Sequence, residues 1–113
     1  MKTYKTQQEV EADIVDGVLR IQGDVSFEFS LSIEASIIVN AGNIIAWGDI
    51  IAEDINAWDI NARDIKAGNI SFFAVAFARI SFKCKSIIGK RENSKYFCLD
   101  SEVEIVNNPP KKK

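Results

Sequence analysis

Apolar residues recur at every fifth position through the middle of the chain. The first series consists of Ile45, Ile50, Ile55, Ile60, Ile65, Ile70, Val75 and Ile80. The second series lies two residues further on and consists of Trp47, Ala52, Ala57, Ala62, Ala67, Phe72, Phe77, Phe82 and Ile87. A spacing of five fits neither the 3.6-residue period of an α-helix nor the two-residue period of a simple strand. The pattern therefore indicates an internal repeat.

This repeat predicts a β-solenoid. In an extended segment, residues i and i+2 point to the same side, so both apolar positions of each unit face the interior. A third series precedes the first and consists of Asp49, Asp54, Asp59, Asp64 and Asn69. Asp and Asn favour corners, and the backbone groups of each coil can then pair with the next coil. We predict an all-β fold, a short parallel β-helix whose regular repeats cover about residues 43–88.

Three of the units resemble those of the pentapeptide-repeat family. Ile70-Ser71-Phe72, Val75-Ala76-Phe77 and Ile80-Ser81-Phe82 each have a central Phe and a smaller apolar residue two positions before it. The resemblance implies a right-handed, four-sided β-helix with about twenty residues per coil. Members of that family include proteins that inhibit topoisomerases by mimicking DNA. The four earlier units depart from the family pattern, because their large residue comes first and Ala is central, as in Ile55-Asn56-Ala57.

Other phrases resemble bactofilin-type β-helices, which are three-sided and form polymers. These phrases are Gly-Asn-Ile, Gly-Asp-Ile and Asp-Ile-x-Ala. We favour four sides and keep three sides as the alternative. Four sides would place residues twenty apart beside each other: Ala52 with Phe72, Ala57 with Phe77, Ala62 with Phe82, and Asp59 with Arg79. Each small core residue would then neighbour a large one, as close packing requires.

The two ends show a different pattern. Residues 18–41 alternate between apolar and polar side chains, which predicts N-terminal half-buried strands with corners at Gly23 and Gly42. Asp16-Gly17 predicts a turn. Residues 96–106 alternate again, and we predict a C-terminal strand that caps the open end of the solenoid. The predicted organisation is one domain, residues 1–106, followed by a flexible basic tail, residues 107–113.

Composition excludes most catalytic chemistry. The 113 residues are 47% hydrophobic and include no His, which removes His-based catalysis and nearly every transition-metal site. The chain has no Gly-rich phosphate loop, nucleophile elbow or zinc-spaced Cys set. We expect no enzymatic activity, no cofactor and no metal, and we expect Cys84 and Cys98 to be free thiols that serve packing.

Neither a secretory signal nor a membrane span is predicted. The N-terminal residues contain no apolar segment, and the apolar runs are far shorter than the ~20 residues that cross a bilayer. We therefore expect a cytoplasmic protein without membrane contacts.

Charge is segregated along the chain. Residues 9–34 hold seven acidic residues and one Arg, whereas residues 79–95 hold six basic residues and one Glu. The basic residues form a candidate patch made of Lys83, Lys85, Lys90, Arg91 and Lys95. The patch lacks a recognised nucleic-acid motif, so we expect a solvated face rather than a nucleic-acid site.

The candidate protein interface combines aromatic and acidic residues. Trp58 and Phe73 fall at predicted outward positions, where large aromatics serve as interface anchors. The candidate acidic residues are Asp49, Asp54, Asp59 and Asp64. Successive residues of this acidic series would lie on successive sides, so they diverge and do not converge on one Ca²⁺ ion.

We therefore predict a non-enzymatic solenoid that docks on a protein partner. The narrower hypothesis, which rests on family analogy, is an inhibitor of phage or mobile-element origin that occludes a nucleic-acid-handling enzyme. The alternative is a bactofilin-like scaffold that assembles with itself. In either case we expect a homodimer or a higher self-association.

Overall fold

The protein is an all-β parallel β-helix of about five turns, as the five-residue repeat predicts. The computed structural model describes residues 2–106, and the predicted basic tail, residues 107–113, lies outside the described residues. The Cα atoms span 43 × 25 × 24 Å, so the molecule is a short rod.

The chain contains thirteen described strands and one described helix. The strands are β1 (Lys2–Tyr4), β2 (Ile14–Val15), β3 (Val18–Gln22), β4 (Val25–Phe27), β5 (Leu31–Ser32), β6 (Ser36–Asn40), β7 (Ile44–Ala46), β8 (Ile50–Ile51), β9 (Ile55–Lys66), β10 (Asn69–Cys84), β11 (Ser86–Gly89), β12 (Lys95–Cys98) and β13 (Glu104–Ile105). The helix is α1 (Gln7–Asp13). The long strands β9 and β10 each pass around a full turn of the rod, because each pairs with three strands on different sides.

The strands form three parallel ladders, which are the three sides of the rod. The first side contains β3, β6 and β11 with the first parts of β9 and β10. The second side contains β1, β4, β7 and β12 with the middle parts of β9 and β10. The third side contains β5, β8 and β13 with the last parts of β9 and β10.

The favoured four-sided coil is therefore corrected to a three-sided one. Ile55 pairs with Ile70, fifteen residues later, so three sides of five residues complete this turn. Phe72 lies beside Ala57, fifteen residues earlier, and not beside Ala52 as a four-sided coil would require. Asp59 likewise lies beside Val75 and not beside Arg79. The five-residue period is compatible with either coil, because it fixes the length of one side and leaves the number of sides open.

The register changes in the turn that follows the regular repeats. Shifts occur between Phe72 and Val75 and between Ala78 and Ser81. The inward positions there are Ala76, Ala78, Phe82 and Cys84, all of them buried. Two members of the first series, Val75 and Ile80, are consequently exposed, and Phe77 of the second series is half-buried on the outside.

A similar departure precedes the regular repeats. Ile44 and Ala46 face the interior, whereas Ile45 and Trp47 are exposed, although both had been predicted to be inward. Between Ile50 and Phe72 the two series do line the core, apart from the half-buried Ala67.

The N-terminal end of the rod is closed. β2 pairs antiparallel with β3 on the first side, and β1 pairs with β4 on the second side. On the third side, the side-chain amide of Gln7 accepts from the Ser32 backbone N–H at 3.3 Å and donates to the Ser32 carbonyl oxygen. Val10 of α1 is fully buried over the first turn. Each side of the first coil thus has a neighbour for its outer edge.

The predicted corners and turn are found. A Cβ on Gly42 would lie 2.2 Å from the carbonyl carbon of Gly23, so the close approach of these two corners requires glycine. Asp16 and Gly17 both have positive φ and connect β2 to β3, as expected for a tight hairpin turn.

The C-terminal end differs from the predicted single capping strand. Residues 86–105 form a further coil of three short strands, and among residues 2–106 each of β11, β12 and β13 pairs only with β10. Their outer edges have no neighbour within this part of the chain. The described rod is therefore closed at one end and open at the other.

Candidate functional site

The acidic series forms hydrogen-bonded ladders at the corners of the rod. At the corner between the first and second sides, Asp24 Oδ1 accepts from the Asn43 backbone N–H at 2.9 Å. Asn43 Oδ1 accepts from the Asp59 N–H at 3.2 Å, and Asp59 Oδ1 accepts from the Val75 N–H at 3.0 Å. Each side chain thus accepts a hydrogen bond from the backbone of the coil that follows it. Local hydrogen bonding to the backbone is the role expected of Asp and Asn.

The remaining acidic residues lie at the other two corners. Asp54 Oδ1 accepts from the Asn69 N–H at 2.9 Å. Asp49 Oδ1 lies 3.0 Å from Arg63 Nε, and this contact raises the pKa of Arg63. Asp64 lies one turn after Asp49, and its Oδ1 is buried without a hydrogen-bond partner in the described residues. The four predicted acidic residues therefore diverge around the rod and do not form a single surface.

The two predicted aromatic anchors are brought together. Trp58 and Phe73 lie on consecutive turns at the corner between the first and second sides, with ring centroids 6.2 Å apart. Their exposed fractions are 49% and 46%. This pair is outward-facing, as predicted from the repeat.

A column of outward residues follows on the second side. Ile45 pairs with Asn61, Asn61 with Phe77, and Phe77 with Phe97 in register. The rings of Phe77 and Phe97 are 4.8 Å apart at their centroids. The predicted inward assignment of Ile45 and Phe77 concealed this column, since both belong to the five-residue series.

We name the resulting surface the aromatic face and define it as Ile45, Trp58, Phe73, Phe77 and Phe97. Ile45 and Phe97 are 43% and 42% exposed, which places large apolar groups on four consecutive turns. Several large apolar groups exposed on one side in this way are typical of a binding site.

The far edge of the second side adds further apolar groups. Trp47 and Leu99 are exposed there, and Arg79 donates from Nη2 to the Trp47 carbonyl oxygen at 3.2 Å. Arg79 and the Arg63–Asp49 ion pair give this edge a polar rim, while Asp59 lies along the opposite edge. An apolar centre with a polar rim is the usual anatomy of a protein interface.

The other two sides have different chemistry. A shallow groove of about 360 Å³ runs along the first side, where aliphatic groups such as Val18, Ile38 and Ile88 alternate with short polar groups such as Ser36 and Ser71. On the third side, Lys66 and Lys83 are adjacent, and Lys83 Nζ lies 3.9 Å from Glu104 Oε2. Only the second side combines several exposed rings among the described residues.

The predicted basic patch is distributed around the rod. Lys83 lies on the third side, Lys85 follows β10, Lys90 and Arg91 lie between β11 and β12, and Lys95 begins β12. Lys90, Arg91 and Lys95 share the corner between the first and second sides of the last coil, whereas Lys83 and Lys85 do not.

Cys84 and Cys98 are both free thiols. Cys84 is buried in the core, and burial raises the pKa of its thiol despite the neighbouring Lys83 and Lys85. Cys98 is half-buried and its Sγ lies 3.4 Å from Ser101 Oγ. A raised pKa lowers the thiolate fraction, so Cys84 has the character of a packing residue.

A search of residues 2–106 for three or more clustered His, Cys, Asp or Glu side chains finds no group that could hold a metal ion. In the same residues, no helix is both long and apolar enough to cross a membrane.

The fold places this chain in the class of β-solenoids. Comparisons with protein-family models, curated proteins and solved structures find no match for it.

Proposed function

We propose that the protein is a non-enzymatic binding module that docks a protein partner on its aromatic face. The observation that supports this proposal is the Phe77–Phe97 ring contact on the second side, next to the exposed and tilted Trp58–Phe73 pair. Aromatic side chains on a rigid β framework lose little conformational entropy on binding, and they are the residues that most often dominate interface energetics.

The acidic series has a lesser part in this proposal. Asp54 and Asp59 each accept a hydrogen bond from a backbone N–H of the next coil, and Asp49 is held by Arg63. A DNA-mimicking rod would need such carboxylates to be aligned and available. The narrower hypothesis of a phage-type inhibitor of a nucleic-acid-handling enzyme, suggested by the pentapeptide-repeat resemblance, is therefore tested through the identity of the partner rather than assumed.

Replacement of the two corner rings tests the docking face. The double variant Trp58→Ala/Phe73→Ala should fold, since both rings are half-exposed, and should bind the partner at least about tenfold more weakly for each ring lost. The partner is first captured from the native host on the immobilised protein, and its affinity for purified variants is then measured by calorimetry.

The matched control is Ile51→Ala, which removes an exposed apolar side chain from the third side. This variant should bind as the parent does. Equal affinity of the parent and the double variant would contradict the proposed face. Because both tryptophans flank the second side, a change in intrinsic fluorescence on binding gives an independent readout.

Self-assembly is a second candidate, and the open C-terminal end favours it. A bactofilin-like scaffold would also be consistent with the three-sided coil. The closed N-terminal end argues against continuous end-to-end growth, because a polymer needs two open ends. Electron microscopy of the purified protein separates the candidates, since filaments would support the scaffold and discrete particles the binding module.

A further inference from the structure

The inward columns of the rod are buried until they reach the last coil. On the second side, Val25, Ile44, Ile60 and Ala76 are each at most 1% exposed. The next residue in the same column, Tyr96, is 41% exposed. In the part of the chain that the structure describes, the interior of the tube is therefore open to water at this end.

The third side shows the same change. Cys84 is 1% exposed, whereas its partner in the last coil, Ile105, is 44% exposed. On the first side, Ile70 is buried and Ile87 only half-buried. We define the open end as the inward-facing residues Ile87, Tyr96, Cys98, Val103 and Ile105 together with the outer edges of β11, β12 and β13. Exposed core groups beside three strand edges that have no partner within residues 2–106 form a surface that favours further strand pairing.

The charges around this end occupy two separate corners. The corner before β12 carries Lys90, Arg91 and Lys95, with Glu92 among them. The corner after β12 carries Asp100 and Glu102. One corner of the end is thus mainly basic and the adjacent corner is acidic, with β12 between them.

A two-fold axis through the middle of β12 relates these corners to each other. Rotation about this axis, perpendicular to the rod, places β12 antiparallel to β12 of a second copy. The same rotation places the basic corner of each copy over the acidic corner of the other, so the dimer contains two equivalent contacts between opposite charges. An axis through β11 would instead bring the acidic corner onto itself, and an axis through β13 would bring the basic corner onto itself.

We propose that the open end binds a second copy of this chain, giving a tail-to-tail dimer with β12 against β12. The pairing covers Tyr96 and Ile105, and Lys95 of each copy approaches Asp100 of the other. The closed N-terminal ends then point outward, so assembly stops at two copies. Of the aromatic face, Phe97 lies on β12, whereas Trp58 and Phe73 lie on earlier turns.

The size of the end suits a reversible dimer. The rod is 25 × 24 Å in cross-section by its Cα atoms. Two such ends in contact would approach the roughly 1,200 Å² of total buried surface at which stable interfaces begin. We expect association that depends on protein concentration within an accessible range.

Charge reversal tests the symmetry as well as the contact. Lys95→Glu and Asp100→Lys, both at exposed positions, should each weaken dimerisation by about tenfold, since each change disrupts both symmetric contacts. The double variant Lys95→Glu/Asp100→Lys exchanges the charges and should restore dimerisation. Lys66→Glu, a charge reversal on the third side, should leave dimerisation unchanged.

Sedimentation equilibrium across a concentration series provides the measurement. The expected result is a mass that rises from 12.6 kDa to twice that value and no further. A monomer at every concentration, or filaments, would overturn the proposal. A double variant that dimerises no more tightly than either single variant would also overturn the proposal.

The chain's own C-terminal segment is the competing occupant of the open end, since residues 107–113 follow directly after it. A chain ending at Val106 separates the two possibilities. If the full chain is monomeric and only the shortened chain dimerises, the end belongs to the segment 107–113 and the proposal is wrong. Equal dimerisation of both chains supports it.

Discussion

At the scale of single residues, the interior of the rod is set by which side chains are neighbours in a column. Phe72 lies beside Ala57 and is fully buried, and Ala57 is buried as well. One large ring and one methyl group therefore share this level of the tube. The close-packed density of protein interiors leaves no room for a second ring there.

Replacement of the small partner tests this arrangement. Ala57→Phe should lower the free energy of unfolding by about 1–3 kcal/mol, because the new ring must displace Phe72 or the backbone. Lys66→Phe adds a ring to an exposed strand position and should change stability by less than about 0.5 kcal/mol. Chemical denaturation of both variants measures the difference, and an unchanged midpoint for Ala57→Phe would contradict the inward position of Ala57.

The sequence predicted the residues of this column but not their pairing. The five-residue period identified Ala57 and Phe72 as inward residues, and it placed Trp58 and Phe73 outside. It could not distinguish fifteen residues per turn from twenty, because both are multiples of five. The aromatic column was missed because Phe77 was assigned to the core, and the register shift after Phe72 that moves it outward leaves no mark in the period.

At the scale of elements, α1 is the structure that closes the N-terminal end. Thr6 is its N-cap: its Oγ1 accepts from the Glu9 N–H at 3.2 Å, while Glu9 Oε1 accepts from the Thr6 N–H at 3.2 Å. This reciprocal capping box starts a helix of only seven residues, which buries Val10 on the first coil. The three-residue spacing of Thr6 and Glu9 was legible in the sequence, but so short a helix contains too few apolar residues to show a 3.6-residue period.

Loss of the N-cap should loosen this closure. Thr6→Ala should reduce the free energy of unfolding by about 1 kcal/mol, since two backbone N–H groups lose part of their reciprocal capping. Thr3→Ala, at an exposed position in β1, is the matched control and should have a smaller effect. Urea titrations of the two variants provide the measurement, and equal midpoints would show that the Thr6 cap adds nothing to the stability of the rod.

At the scale of the whole molecule, the rod is a stack in which each coil contacts its neighbours. Stability in such a stack is the sum of coil and interface terms, so an end coil with one neighbour is the least protected. The first coil has β1, β2 and α1 as additional neighbours, whereas the last described coil has only β10.

Amide hydrogen exchange should therefore be asymmetric along the rod. At concentrations that favour the monomer, the amides of β9 and the inner part of β10 should exchange slowest, and those of β11, β12 and β13 fastest. Exchange of β3 and β4 should be closer to that of β9 than to that of β12. Uniform protection from one end to the other would contradict the description of one closed and one open end.

The corner ladder from Asp24 through Asn43 to Asp59 has a consequence for how such a rod can change in length. Each of these side chains accepts a hydrogen bond from a backbone N–H of the next turn, and the backbone N–H groups of Asn43 and Asp59 donate to the side chain of the previous turn. A turn such as residues 55–69 therefore carries its own connector to whatever follows. Duplication of this segment would add one turn, roughly 4.8 Å of rod, while the helix-closed start and the open finish remain as they are. The chain is in this sense modular. The distance between its two ends changes in steps of one whole turn, and the structure of each end does not depend on the number of turns between them.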